Sequence, residues 1–318
     1  MQAASREPVY QPESGSVAAV VTICAQQKSI KAPAHGTPAA LAIQSQVEVE
    51  RAWQRAVAAL PADVLVANLY GGRAFGLAKT AAARSASRLY VISAGLGIVP
   101  GESLAPAYGL TVARDVAESI ASRIAGPFDP AKWFESVLTG PRSVGWDQVG
   151  TNSTGRILVA LTKPYAEMAG SSLAAARPQV LDRLRIFGAS LDRTLPKWLH
   201  PAIVPYDDRL DALVPGTRSD FAQRALLHFV EHVADLAADR DVEFEAVKSS
   251  LSGVSAPDRP VRPQRSDADL IKLIKGRLTP RASASALLRQ LRHEDGIACE
   301  QGRFARLFKA VVASERSA

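Results

Sequence analysis

The chain has 318 residues, 47% of them apolar and 22% charged, with a formal net charge of +7. That length holds one large domain with a small one, or two of medium size, and the composition is that of an ordinary globular protein. No apolar run is long enough for a membrane span, and Cys24 and Cys299 make no metal-ligand spacing, so a transmembrane helix, a zinc cluster and a disulfide framework are not expected.

Residues 1–16 are polar and match neither a secretory signal nor a transit peptide, which predicts a disordered N-terminus on a cytoplasmic protein. Val17 to Ile23 is a continuous apolar run and predicts a strand. It ends in Cys24-Ala25-Gln26-Gln27-Lys28, which places a thiol and an amine at the strand's end. Leu41 to Leu60 carries Val47, Val49, Trp53, Val57 and Leu60 near helical spacing. Ala62 to Leu69 predicts a second strand, running into Tyr70-Gly71-Gly72-Arg73 and a helix through Arg84.

Leu89 to Ile92 predicts a third, buried strand. It empties into Ser93-Ala94-Gly95-Leu96-Gly97 and then a stretch in which Pro100 and Pro106 flank the one acid, Glu102. A buried strand followed by a Gly/Pro-rich loop is how an open α/β sheet presents a site at its strand ends. Helices are predicted at 113–125 and 130–138, a strand over Ile157–Leu161, a helix from Ala166, and a strand over Leu184–Phe187. An irregular piece then carries Trp198, His200-Pro201 and Asp207-Asp208-Arg209, before a long helix from Ser219 to Ala238. Strands alternating with helices predict an α/β fold with a mostly parallel open sheet flanked by helices.

Ser252 to Arg265 holds three prolines and reads as a linker between an α/β domain at 17–251 and a small module at 266–318. Three short amphipathic helices, Ala268–Leu278, Ser283–Leu291 and Arg303–Val312, suggest a helix-turn-helix-like module. Between Ala256 and Ala318 thirteen basic residues face seven acids, so +6 of the net +7 sits in the last fifth of the chain. A basic module on a near-neutral domain points to a polyanionic partner, nucleic acid first. Arg289 and Arg292 lie three apart on one helix face, and with Arg303 and Arg73 they are the candidate contacts to a nucleic-acid backbone.

Four pieces together resemble the YaaA-like family: Cys24-xxx-Lys28, Leu69-Tyr70-x-Gly72-Arg73-x-Phe75, Ser93-Ala94-x-Leu96-Gly97, and Pro100-x-Glu102-x-Leu104-x-Pro106-x-Tyr108-x-Leu110-Thr111. The likeness covers about residues 17–190. It departs in the turn, where many relatives have Lys-Tyr-Gly-Leu. Lys163-Pro164-Tyr165 is also similar to a piece of the archaeosine-synthase core domain, without that motif's cysteine. The wider group resembles uracil-DNA glycosylases in sheet architecture, with Gly97–Glu102 standing where those enzymes place a water-activating loop and His200-Pro201 where they place a His-Pro loop.

The resemblance implies a monofunctional DNA glycosylase that flips and removes a modified or unusual base from double-stranded DNA, in defence against foreign DNA. Such chemistry needs a carboxylate for water and the sugar cation, a donor near the base, and aromatics to stack on it. Glu102, Asp207 and Asp208 are the candidate carboxylates, and Asn68 and His200 the candidate donors. Tyr70, Tyr108, Tyr165 and Trp198 could stack, and Lys28 and Lys163 could touch the base. No cofactor is implied. Two other readings stay open: base exchange or tailoring of the 7-deazaguanine type, and a DNA-binding protein without catalysis. No P-loop, metal cluster or nucleophile elbow is present, which argues against an ATPase, a metallonuclease and a serine hydrolase.

Overall fold

The structure is a computed structural model and describes residues 16–113, 116, 118–234, 239–258, 262–279 and 282–316. The predicted disorder of the N-terminus therefore falls, but for residue 16, outside the described residues. The chain divides into two compact units, with the boundary between Pro257 and Asp258.

The first unit runs β1 (Val17–Ile23), α1 (Gln46–Ala58), β2 (Ala62–Leu65), α2 (Val66–Leu69), α3 (Arg73–Arg84), β3 (Arg88–Ser93), β4 (Gly97–Pro100) and β5 (Leu104–Pro106). It continues through α4 (Pro130–Leu138), β6 (Arg156–Ala160), α5 (Lys163–Ala174), α6 (Pro178–Leu181), β7 (Leu184–Phe187), α7 (Leu210–Leu213), α8 (Phe221–His232) and α9 (Arg240–Ser250). Five strands form the main sheet in the order β4-β3-β1-β6-β7. Strands β3, β1, β6 and β7 are parallel, and β4 is antiparallel at one edge. Both faces are covered, which is why these strands are mostly apolar rather than alternating apolar and polar. Ala19, Val21, Ile157 and Val159 pack with α1, α4 and α5 on one face. Val20, Leu158, Ala160 and Phe187 pack with α3 and α8 on the other. The chain passes from β1 leftward to β3, then returns past β1 to β6 and β7. The topological switch point, where such sheets bind ligands, is therefore between the carboxyl ends of β1 and β6.

Local sequence explains most boundaries. The helix expected from Leu41 begins only at Gln46, where Ser45 and Glu48 form a capping box. Asp129 caps α4 through the amides of Ala131 and Lys132, with Pro130 at its first position. Helix α5 starts at Lys163, three residues before the expected Ala166, because Pro164 suits a first turn.

Four expectations need correction. The strand predicted over Ala62–Leu69 stops at Leu65, lies outside the main sheet and pairs antiparallel with β5. The amides of Val66 and Ala67 turn away to the carbonyls of Ser103 and Gly101, so the chain coils into α2. The helix predicted at 113–125 is, among the described residues, a 3-10 turn at Ile120–Arg123, and Thr111 bridges to Ser119 instead. The long helix predicted from Ser219 to Ala238 is helical over Phe221–His232, and residues 235–238 lie outside the described residues. The open loop expected after β3 is a hairpin, with β4 paired back along β3 from Ser93–Gly97 to Tyr90–Pro100.

Among its described residues the second unit has three helices, α10 (Asp267–Arg277), α11 (Ala284–His293) and α12 (Gln301–Arg316). Ser266 and Ser283 cap the first two. Leu270, Ile274, Leu288, Leu291, Phe304 and Val311 form its core. Among the described residues no helix is long and apolar enough to cross a membrane.

Candidate active site at the carboxyl edge of the sheet

The chain leaves β1 through Cys24, whose amide donates to the Ile92 carbonyl of β3 and so continues the parallel ladder by one residue. The next turn lays Lys28 antiparallel against Tyr70, with the Ser29 amide bonded to the Leu69 carbonyl and the Gly71 amide to the Gln27 carbonyl. Gly72 then takes φ +87°, a conformation that glycine adopts readily, and starts α3. Lys28 Nζ stands 4.8 Å from the centroid of the Tyr108 ring and 5.9 Å from that of Tyr70, within cation–π range of both.

The hairpin turn after β3 forms the wall behind Tyr108. Trp53 Nε1 donates to the Gly95 carbonyl at 2.9 Å and Trp133 Nε1 to the Ala94 carbonyl at 2.7 Å. A Cβ on Gly95 would come within 2.7 Å of the Tyr108 ring and 2.9 Å of Trp53, so glycine is what lets the ring lie against the backbone. Tyr108 is fully buried, and its hydroxyl lies 2.6 Å from Ser93 Oγ and 2.8 Å from Tyr70 Oη. From the other side of the switch point, the first turn of α5 brings Tyr165 Oη to 2.8 Å from Cys24 Sγ. Burial pushes the phenols of Tyr70, Tyr108 and Tyr165 well above the usual tyrosine range, so all three are neutral hydroxyls. The edge over β1, β3 and β6 thus gathers Cys24, Lys28, Tyr70, Ser93, Tyr108 and Tyr165: aromatic rings, neutral donors, a thiol and one cation.

The carboxylate expected there is elsewhere. Because β4 runs back along β3, Glu102 is carried to the start of that strand, where it pairs with Arg88. Five residue steps along β3 put about 16 Å between the Arg88 end and the Ser93 end. Asp207 is exposed and held by Arg209, whose hydrogen bonds keep its carboxyl below the usual range. That pair is an internal ion pair of a loop, and Asp208 is exposed beside it. His200 spends Nε2 on the Leu195 carbonyl. Asn68 is exposed on α2, two residues before Tyr70, and its carbonyl accepts from Ser29 Oγ. Lys163 is exposed and faces Glu167 at 3.8 Å, and Trp198 is exposed on a 3-10 turn of the β7 edge.

Of the expected backbone contacts, Arg73 pairs with Asp220 and donates to the Pro215 carbonyl. In the second unit Arg289 is exposed. Arg292 donates to the Cys299 carbonyl and Arg303 pairs with Asp267. These two, with Arg262, line a cleft of about 500 Å³. Among the described residues no group of His, Cys, Asp and Glu could hold a metal ion.

Two residues that the sequence did not single out as candidates stand at or beside this edge. Ser93 was legible only as part of a turn, yet its hydroxyl accepts the amides of Gly95 and Leu96 and anchors the tyrosines. Glu118, in a stretch expected to be helical, sets a carboxylate oxygen 2.7 Å from where a Cβ on Gly109 would stand, against the residue after Tyr108. Comparison with family models, curated proteins and solved structures gives no match.

Proposed function

We propose that the larger unit is a DNA base-acting enzyme, a glycosylase that hydrolyses the N-glycosidic bond of a modified or unusual base, in the manner expected of a YaaA-like relative acting against foreign DNA. The observation that carries this reading is the convergence of Lys28, Tyr70, Tyr108 and Tyr165 with Cys24 at the switch point of the sheet. A flipped base is planar and bears carbonyl acceptors, and a floor of aromatic rings with neutral hydroxyls and one ammonium suits it. As the C1′–N bond breaks, its electron pair leaves with the base. On this reading Lys28 and the Tyr70 hydroxyl meet that negative charge. Water adds to C1′, and the proton it gives up ends on the nitrogen of the departing base. Glu118 stands beside Gly109, the residue after Tyr108, and takes the place of Glu102 as our candidate for holding the water. The basic second unit, with exposed Arg289 and the Arg262–Arg292–Arg303 cleft, supplies the backbone contacts.

A second reading, base exchange or tailoring, draws on Cys24 and Lys28. Both are nucleophile types at the strand end, so either could attack C1′ and hold the sugar until another base arrives.

The test incubates the purified full chain with duplexes carrying normal and modified bases, including hydroxymethylated and glucosylated cytosine, followed by alkali and a gel. Strand breaks that need alkali are expected. Lys28→Met should lower the rate about 100-fold or more, Glu118→Gln should lower it as well, and Glu102→Gln should match the wild type. Incorporation of a labelled free base without abasic sites would replace hydrolysis by exchange. Neither product on any duplex would end both readings.

A further inference from the structure

The hydroxyl protons of this site can be assigned by counting. Ser93 Oγ accepts the Leu96 amide at 2.9 Å and the Gly95 amide at 3.2 Å. A hydroxyl has two lone pairs and one proton, so with both lone pairs taken Ser93 has only its proton to offer. That proton goes to Tyr108 Oη, 2.6 Å away. Tyr108, now an acceptor from Ser93, turns its own proton to Tyr70 Oη at 2.8 Å. Tyr70 is the end of the line. Tyr70 is 4% exposed, it is bonded to Tyr108, and Ser93, the other hydroxyl in its reach, has no lone pair left to take its proton. Its proton is therefore unspent. Lys28 Nζ, the cation over both rings, cannot accept it. Each donor in the chain polarises the next, so the last hydroxyl is the strongest donor of the three.

We infer that Ser93 and Tyr108 form a one-way relay that locks Tyr70 as a hydrogen-bond donor, and that the site selects a ligand presenting a carbonyl or anionic oxygen to Tyr70 Oη beside Lys28. Resting on the glycosylase reading for what the ligand is, this oxygen is an exocyclic carbonyl of the flipped base, the atom onto which charge moves as the base departs. Tyr70 touches that oxygen. Ser93 and Tyr108 are positioning residues that act through it. An exocyclic amino group in the same place would set donor against donor, so the relay rejects it.

The experiment measures binding of free bases to the full chain by titration calorimetry, using two pairs that differ by carbonyl against amino, hypoxanthine with adenine and uracil with cytosine. In the wild type the carbonyl member of at least one pair should bind about tenfold more tightly or better. Tyr70→Phe, which keeps the ring, should remove that preference by weakening the carbonyl member. Tyr108→Phe frees the Tyr70 hydroxyl to rotate and accept, so the gap should collapse while the amino member gains. A merely structural role for Tyr108 would weaken both members alike. Thermal melts accompany each variant, and Ser93→Ala cuts the relay one step earlier should Tyr108→Phe not fold. A gap that persists unchanged in both tyrosine variants, or no binding of any of the four bases, overturns the relay. A relay-dependent gap without abasic sites leaves the relay standing and ends the glycosylase reading. Abasic sites formed at an unchanged rate by Tyr70→Phe do the reverse.

Discussion

His228 makes the larger unit sensitive to mild acid. It lies on α8, buried, with Nδ1 2.8 Å from Tyr206 Oη and its ring 4.6 Å from that of His232. Neutral His228 can carry its proton on Nε2 and accept the Tyr206 hydroxyl on Nδ1. Protonation takes away that acceptor and leaves a charge in an apolar layer with Phe187 and Phe229. Burial, with the neighbouring His232 second, pulls the imidazole from 6.5 down to about 4. In the unfolded chain the ring binds its proton near pH 6.5, and in the folded chain it does not until about pH 4. The unfolded state therefore holds the extra proton across that window, and stability is present above pH 6.5 and lost as the pH falls. At about 1.4 kcal/mol per pH unit, the fall from pH 6.5 to 5 costs about 2 kcal/mol. With a urea slope of about 3 kcal/mol/M, the midpoint drops by about 0.7 M. All four tryptophans, Trp53, Trp133, Trp146 and Trp198, lie in this unit, so tryptophan fluorescence follows its unfolding alone. The decisive comparison is with His228→Gln, whatever its stability at pH 7. Equal midpoint shifts in the two proteins between pH 6.5 and 5 would refute the assignment.

Glu243 is fully buried on α9 and pairs with two buried guanidiniums, Arg156 of β6 and Arg185 of β7. Glu243→Gln leaves both charges underpaired and should cost about 3 kcal/mol or more, lowering the tryptophan-detected melting point by about 6–12 °C for a unit of this size. Gly95→Ala forces a methyl group against Tyr108 and Trp53. A destabilisation of about 1–3 kcal/mol is expected in urea unfolding, together with loss of base binding. Arg289→Glu should weaken binding of a labelled duplex in fluorescence anisotropy and reduce the slope of log affinity against log salt by about one. Its tryptophan melt should be unchanged, since Arg289 is exposed in the other unit.

The chain by itself determined its strands wherever both faces of a strand are buried. Leu89–Ile92 and Ile157–Ala160 are apolar without interruption, Val17–Ile23 is broken only by Thr22, and Leu184–Phe187 only by Arg185, which is buried against Glu243. Helix α4 was legible to the residue because Asp129 and Pro130 are a local start signal. The pairing of a thiol with an amine at the end of β1 was legible too, since a strand's carboxyl end can be read from its direction alone. What only the tertiary structure decided is where the chain goes after β3. A short run such as Gly97–Pro100 takes its direction from hydrogen bonds to a partner strand, and by turning back it carries Glu102 to the far end of the sheet. The same non-local pairing returns Tyr108 to Ser93 and Tyr70, and α5 returns Tyr165 to Cys24. Residue type and spacing tell which side chains can do chemistry. Which of them meet depends on strand order and register, and those are properties of contacts between residues far apart in the chain.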